Sequence, residues 1–192
     1  MIPWTDRVHP ILRAVGLTLF ASFLLSAAPA PAASVSKLSK ALARAAKSED
    51  YDQVRQLLAE LGETDDAKAA KVIVQSLGAL PLHEIAPAAI DALARLGSEH
   101  CAKTFDKLID GKSTAWEILA VITMTAEKIG DERAEGWIAQ AIATGRPVVM
   151  RNAIPVAVKL KSKAAIPALM DLLETVGYNR TNESYQVRKA LL

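Results

Sequence analysis

Apolar residues recur along this chain at intervals of three and four, and nowhere in alternating runs bounded by turns. That period lines one face of a helix, and the missing alternation argues against strands. Residues 35–47 show it plainly: Val35, Leu38, Leu42 and Ala45 form one stripe, and Lys37, Lys40, Arg44 and Lys47 form the other. Further helices are predicted at 51–61, from Thr64 or Asp65 to 77, at 84–96, 98–109, 114–129, 132–143, 147–160 and 164–176, with a last one starting near Glu183. Gly62, Gly97, Gly111, Gly130 and Gly145 mark the ends, and Gly62 is expected to end its helix in a left-handed conformation. Ser98 reads as an N-cap, and Thr114 with Glu117 reads as a capping box. Pro147 fits a first helical turn, whereas Pro155 falls mid-helix and is expected to kink it at a cost of about 3 kcal/mol. The stretch 118–126 carries no charge over two turns, the mark of a helix covered on all sides.

The helices repeat in pairs. The residues before successive turns are Leu61, Leu96, Ile129 and Leu160, spaced 35, 33 and 31 apart. Five positions past the last three stand Cys101, Ala134 and Ala165; nine past stand Phe105, Ile138 and Leu169; thirteen past stand Ile109, Ile142 and Leu173. The first unit fits less well, because Asp66 falls in the small column. A period near 33 residues with two helices in each indicates a stacked array. The first helix, apolar on one face and basic on the other, reads as the polar cap that such an array needs; a membrane-surface helix is the competing reading, and its stripe lacks the aromatic residues expected there.

The stretches Ala89-Ile-Asp-Ala-Leu-Ala-Arg-Leu-Gly97 and Ala165-Ile-Pro-Ala-Leu-Met-Asp-Leu-Leu173, with the dipeptides Val54-Arg55 and Val187-Arg188, resemble HEAT-like repeats, including the short bacterial kind of bilin-lyase-type proteins. The resemblance covers about 35–192. It implies an all-α, right-handed α-α superhelix of the HEAT/armadillo kind with about five helical hairpins. The middle units depart from the family, since 84–96 and 114–129 lack its Arg early in the second helix, so the resemblance does not carry lyase activity here.

Composition narrows the picture further. The 192 residues are 51% apolar but only 5% aromatic, so the core is built from Ala, Leu, Ile and Val. The net charge of +2 does not point to nucleic acid as a partner or to an anionic membrane. Arg7 and Arg13 flank an uncharged run at 14–28, followed by Ala30-Pro31-Ala32. This reads as a cleavable signal peptide at 1–32, with the helical domain at 33–192 and a periplasmic or secreted address; no membrane span is expected after cleavage. The short final helix ending in Ala-Leu-Leu leaves the array without a polar cap, which suggests a C-terminus that is incomplete.

Candidate chemistry is sparse. Asp110-Gly-Lys-Ser-Thr114 resembles the end of a phosphate loop, but Asp106 stands where that loop needs Gly and a helix precedes it. His100-Cys101 suggests a nucleophile pair or metal ligand, yet Cys101 occupies a column of alanines, and no His or Cys pair has ligand spacing. The acidic pairs Glu49-Asp50, Asp65-Asp66 and Asp131-Glu132 all fall at predicted helix starts, where the helix dipole favours them. Two sequons begin at Asn179 and Asn182. No catalytic residue, metal ligand or cofactor site is expected. Arg95, Lys128 and Lys159 precede their turns and are expected to stack as a basic ladder, suited to an acidic partner or to helix C-terminal dipoles. The expected role is that of a non-enzymatic scaffold binding a protein through its concave surface, with Gln56, Asp91, Arg95, Lys128, Arg151, Asn152 and Lys159 exposed there. Two alternatives stand beside it: a ligand-handling or lyase-like repeat protein, and the helical stalk of a longer exported protein.

Overall fold

The computed structural model describes residues 34–176 except Lys112. The expected signal peptide, the final helix and both sequons lie outside the described residues. Within them every regular element is helical: α1 (Val35–Lys47), α2 (Tyr51–Gly62), α3 (Lys68–Leu77), α4 (Leu82–Asp110), α5 (Trp116–Ile129), α6 (Glu132–Ala143), α7 (Pro147–Leu160) and α8 (Ile166–Val176). The boundaries follow local chemistry. Asp50 caps α2 by accepting from the Gln53 N–H at 3.0 Å, and Asp131 caps α6 by accepting from the Ala134 N–H at 2.8 Å. Asp66 accepts from the Lys68 N–H at 2.8 Å at the start of α3. One member of each acidic pair therefore satisfies an orphan donor at a helix start.

Four readings from the sequence change. First, α4 is one element with a break at Gly97 (φ 77°, ψ 172°), so the two helices expected at 84–96 and 98–109 are limbs meeting at a single residue. Only glycine adopts that backbone region without strain. Second, Gly62 is not a left-handed terminator: it lies within α2 and is buried against the first limb of α4. A Cβ there would stand 2.6 Å from Ala92 Cα and 2.8 Å from its carbonyl oxygen. Third, α5 starts at Trp116 with Ala115 as its cap and no side-chain cap, so the Thr114–Glu117 box does not form. Instead the Thr114 carbonyl accepts from the Arg146 guanidinium at 2.7 Å. Fourth, α3 starts later than expected, which moves its pattern three residues along. Ala69, Ile73 and Leu77, all buried, then take the positions that Cys101, Phe105 and Ile109 hold in the next unit.

With that shift the columns align in the core. Ala69, Cys101, Ala134 and Ala165 are all fully buried, and so are Ile73, Phe105, Ile138 and Leu169. Fully burying a leucine or isoleucine is worth about 1.5–3 kcal/mol, so these columns carry much of the fold. Pro155 sits exposed on α7, which continues through it to Leu160.

Contacts sort the helices by alternation. From α1 to α7 each helix packs on its neighbour in sequence, and contacts also join helices two apart: α1 with α3, α2 with α4, α4 with α6, α5 with α7 and α6 with α8. Specific contacts divide the limbs of α4 between two rows. The first limb meets α2 through Gly62 and Ala92, and meets α5 through Asp91 and Lys128. The second limb meets α6, where Trp137 Nε1 donates to Asp106 at 2.7 Å and the Phe105 and Trp137 rings stand edge to face at 4.8 Å. The corner at Gly97 thus carries the chain from one row to the other.

Candidate functional site

The surface of the row formed by α2, the first limb of α4, α5 and α7 holds the residues expected to bind a partner. Its cations do not form an unpaired ladder. Arg95 pairs with Glu63 at 3.5 Å, Lys128 with Asp91, and Lys159 with Glu127. Each pair joins neighbouring helices of the row, or the turn that follows one. The registers differ, however: the carboxylate lies two residues past its own repeat's anchor for Glu63, five before it for Asp91 and two before it for Glu127. One repeat earlier, Arg55 donates to the Glu84 carbonyl at 3.1 Å and also pairs with Asp52, and that hydrogen bond to Asp52 holds the guanidinium above its ordinary pKa. Exposed pairs of this kind add little to stability, because solvent screens them and two long side chains must be held in place.

Between these pairs lies a groove of about 430 Å³, lined by Pro87, Ile90 and Asp91 of α4, Met124, Glu127 and Lys128 of α5, and Lys159 of α7. Its lining is chiefly apolar, and Met124 is 51% exposed. The two ion pairs Lys128–Asp91 and Lys159–Glu127 edge it, so its four charges cancel. The expected residues Asp91, Lys128 and Lys159 come together here. Gln56 lies elsewhere, donating to Glu60 at 3.1 Å, and Arg95 belongs to the neighbouring seam. Arg151 is exposed on α7, and the half-buried Asn152 donates to the Val148 carbonyl at 3.4 Å.

Met124, Pro87, Ile90 and Glu127 are not among the binding residues expected from the sequence. The apolar stretch 118–126 is largely buried, as Leu119, Val121, Ile122, Thr125 and Ala126 show, but Met124 faces out of it. The one sign of this in the sequence is spacing: Met124 stands three and four residues before Glu127 and Lys128, and so shares their face.

A second groove, of about 330 Å³, opens on the other row beside Asp106, Arg133 and Trp137. Neither groove takes in His83, His100 or Cys101. His83 is exposed beside Glu84, and His100 pairs with Asp65 at 2.9 Å. Cys101 is buried, its thiol donates to the Leu93 carbonyl at 3.4 Å, and burial pushes its pKa up to about 12. A thiol held neutral in this way is a poor nucleophile. Among the described residues no group of three or more His, Cys, Asp or Glu side chains is arranged to hold a metal ion, and no helix is long and apolar enough to cross a membrane.

A scan against protein-family models finds no match to this chain, and searches of curated proteins and of solved structures find none either.

Proposed function

We propose that the protein is a non-enzymatic scaffold of the HEAT/armadillo-like kind, exported, whose helical hairpins build a right-handed superhelix and bind a protein partner through the row of α2, the first limb of α4, α5 and α7. The observation that carries this reading is the groove across three helices of this row, α4, α5 and α7, with a half-exposed methionine among four charges of both signs. Alternating contacts between helices two apart, together with recurring buried columns, support the stacked-hairpin part of it.

The groove suits a partner segment with one flexible apolar anchor set against Met124 and polar groups of both signs beside it. A methionine adapts its shape to such an anchor because it is unbranched and polarisable. A strongly acidic segment is disfavoured, since each lysine already faces a carboxylate. The test is photocrosslinking in the native host, with a photoreactive residue at position 124 or, on the opposite row, at position 140. A discrete adduct from 124 that is absent from 140 and lost on Pro87→Glu supports the reading. Adducts equal at both positions, or none from 124, would overturn it.

A further inference from the structure

The charge of the chain is unevenly placed. The helices α1 and α3 hold six cations, Lys37, Lys40, Arg44, Lys47, Lys68 and Lys71, and no Asp or Glu. The rest of the chain has 17 basic residues against 21 acidic ones, within a total of 23 against 21. All six cations are exposed, and among the described residues none takes part in an ion pair. On the opposite row, by contrast, Arg55, Arg95, Lys128 and Lys159 each face a carboxylate. On α1 the spacing of three, four and three keeps the four charges on one face, a stripe about 15 Å long. The counter-charges near its end are engaged in part, since Asp50 caps α2 and Asp66 caps α3.

The other face of α1 is spent on the core. Leu38, Leu42 and Ala45 are buried, and the helix packs on α2 and α3. It therefore cannot insert an apolar face into a bilayer, and whatever it binds must meet the charged face alone. Among the described residues neither α1 nor α3 exposes a large apolar side chain. Protein interfaces draw most of their energy from buried apolar and aromatic anchors. A sheet of lipid phosphates needs none, and attracts each nearby Lys or Arg separately.

From this we propose that α1, flanked by α3, docks flat on an anionic lipid surface through Lys37, Lys40, Arg44 and Lys47, without insertion. The two ends of the function then divide between the rows: the groove row takes a partner, and the basic end holds the protein at a membrane face.

The test uses the full chain with vesicles of pure phosphatidylcholine and with vesicles containing about one-third phosphatidylglycerol. Arg7 and Arg13 beside the apolar run add the same preference to every variant, so the change in the ratio of the two affinities on substitution reports the charged face of α1. Each cation contributes about fivefold at the surface, so Lys37→Gln, Lys40→Gln, Arg44→Gln and Lys47→Gln together should lower the preference for anionic vesicles by roughly several-hundred-fold. The preference should fall with added salt. A control with the same charge removed elsewhere, at Lys103, Lys107, Lys161 and Lys163, should keep most of it. Three results would overturn the proposal: equal affinity for the two vesicles, a quadruple variant that keeps its preference, or binding to an oligonucleotide under conditions where anionic vesicles are not bound. Binding to vesicles leaves the groove reading untouched, and crosslinking at position 124 leaves this one untouched.

Discussion

Gly62 and Gly97 stand at the same place in successive repeats, one residue past the buried leucines Leu61 and Leu96, and they do different work. Gly62 has ordinary helical geometry and no room: its missing Cβ lets α2 seat against the backbone of Ala92. Gly97 has room on every side, with nothing within 4 Å of the point where a Cβ would stand, but a backbone that only glycine adopts freely. The next two repeats carry Gly130 in the left-handed region (φ 67°, ψ 17°) and Lys161 there too (φ 52°, ψ 42°). One letter at one register therefore answers two physical needs, closeness of approach and freedom of turn. The sequence pattern shows the letter and not the need.

Substitutions separate the two. Gly62→Ala should have the largest effect, lowering stability by about 3 kcal/mol, because the added methyl meets backbone rather than a movable side chain. Combining it with Ala92→Gly should restore little, since Ala92 Cα and carbonyl oxygen remain in the way at 2.6 and 2.8 Å. Chemical denaturation measures both variants. A rise in stability for Gly62→Ala, as helix propensity alone gives for glycine to alanine, would show that the close seat does not exist.

Gly97→Ala should cost less, about 1–3 kcal/mol, through backbone strain without overlap. Asparagine sharpens the point, because it tolerates the left-handed region but not the extended ψ at 97. Gly97→Asn should therefore cost about as much as Gly97→Ala, while Gly130→Asn costs little. Equal mild losses at 97 and 130 would mean that the corner is an ordinary helix end. The smallest effect is expected at Lys161→Gly, a gain of about 0.5–1 kcal/mol in the same denaturation assay, as a side chain leaves the left-handed region. A loss there would show that Lys161 contributes something beyond its backbone.

The division between what is legible in the chain and what is not follows the range of each interaction. The helices at 35–47, 132–143 and 147–160 are legible to the residue, since their signals are local: an apolar period, an aspartate cap, a glycine or a proline at a turn. The buried columns are legible from Cys101 onward, because each residue's environment repeats at a fixed spacing. They mislead at Asp66, where a longer turn shifts the register by three and the chain alone does not show which residues the turn absorbs. The candidate surface is legible in part. Asp91, Lys128 and Lys159 read as exposed and do meet at one groove, but their pairing with carboxylates one helix back depends on register between helices, and that register differs at each seam.

What this sequence determined by itself is where most of the described helices run, the buried face of those other than α3, and the basic stripe of α1, all of which depend on residues within a turn or two of one another. Only the tertiary structure decided that Gly62 marks a close seat, that Gly97 is a one-residue corner between rows, that Met124 looks outward from an apolar stretch, and that three of the expected cations are already neutralised. Each of these depends on which residue of another helix arrives opposite, some thirty positions away along the chain, and on how near the two backbones can come before a side chain stops them.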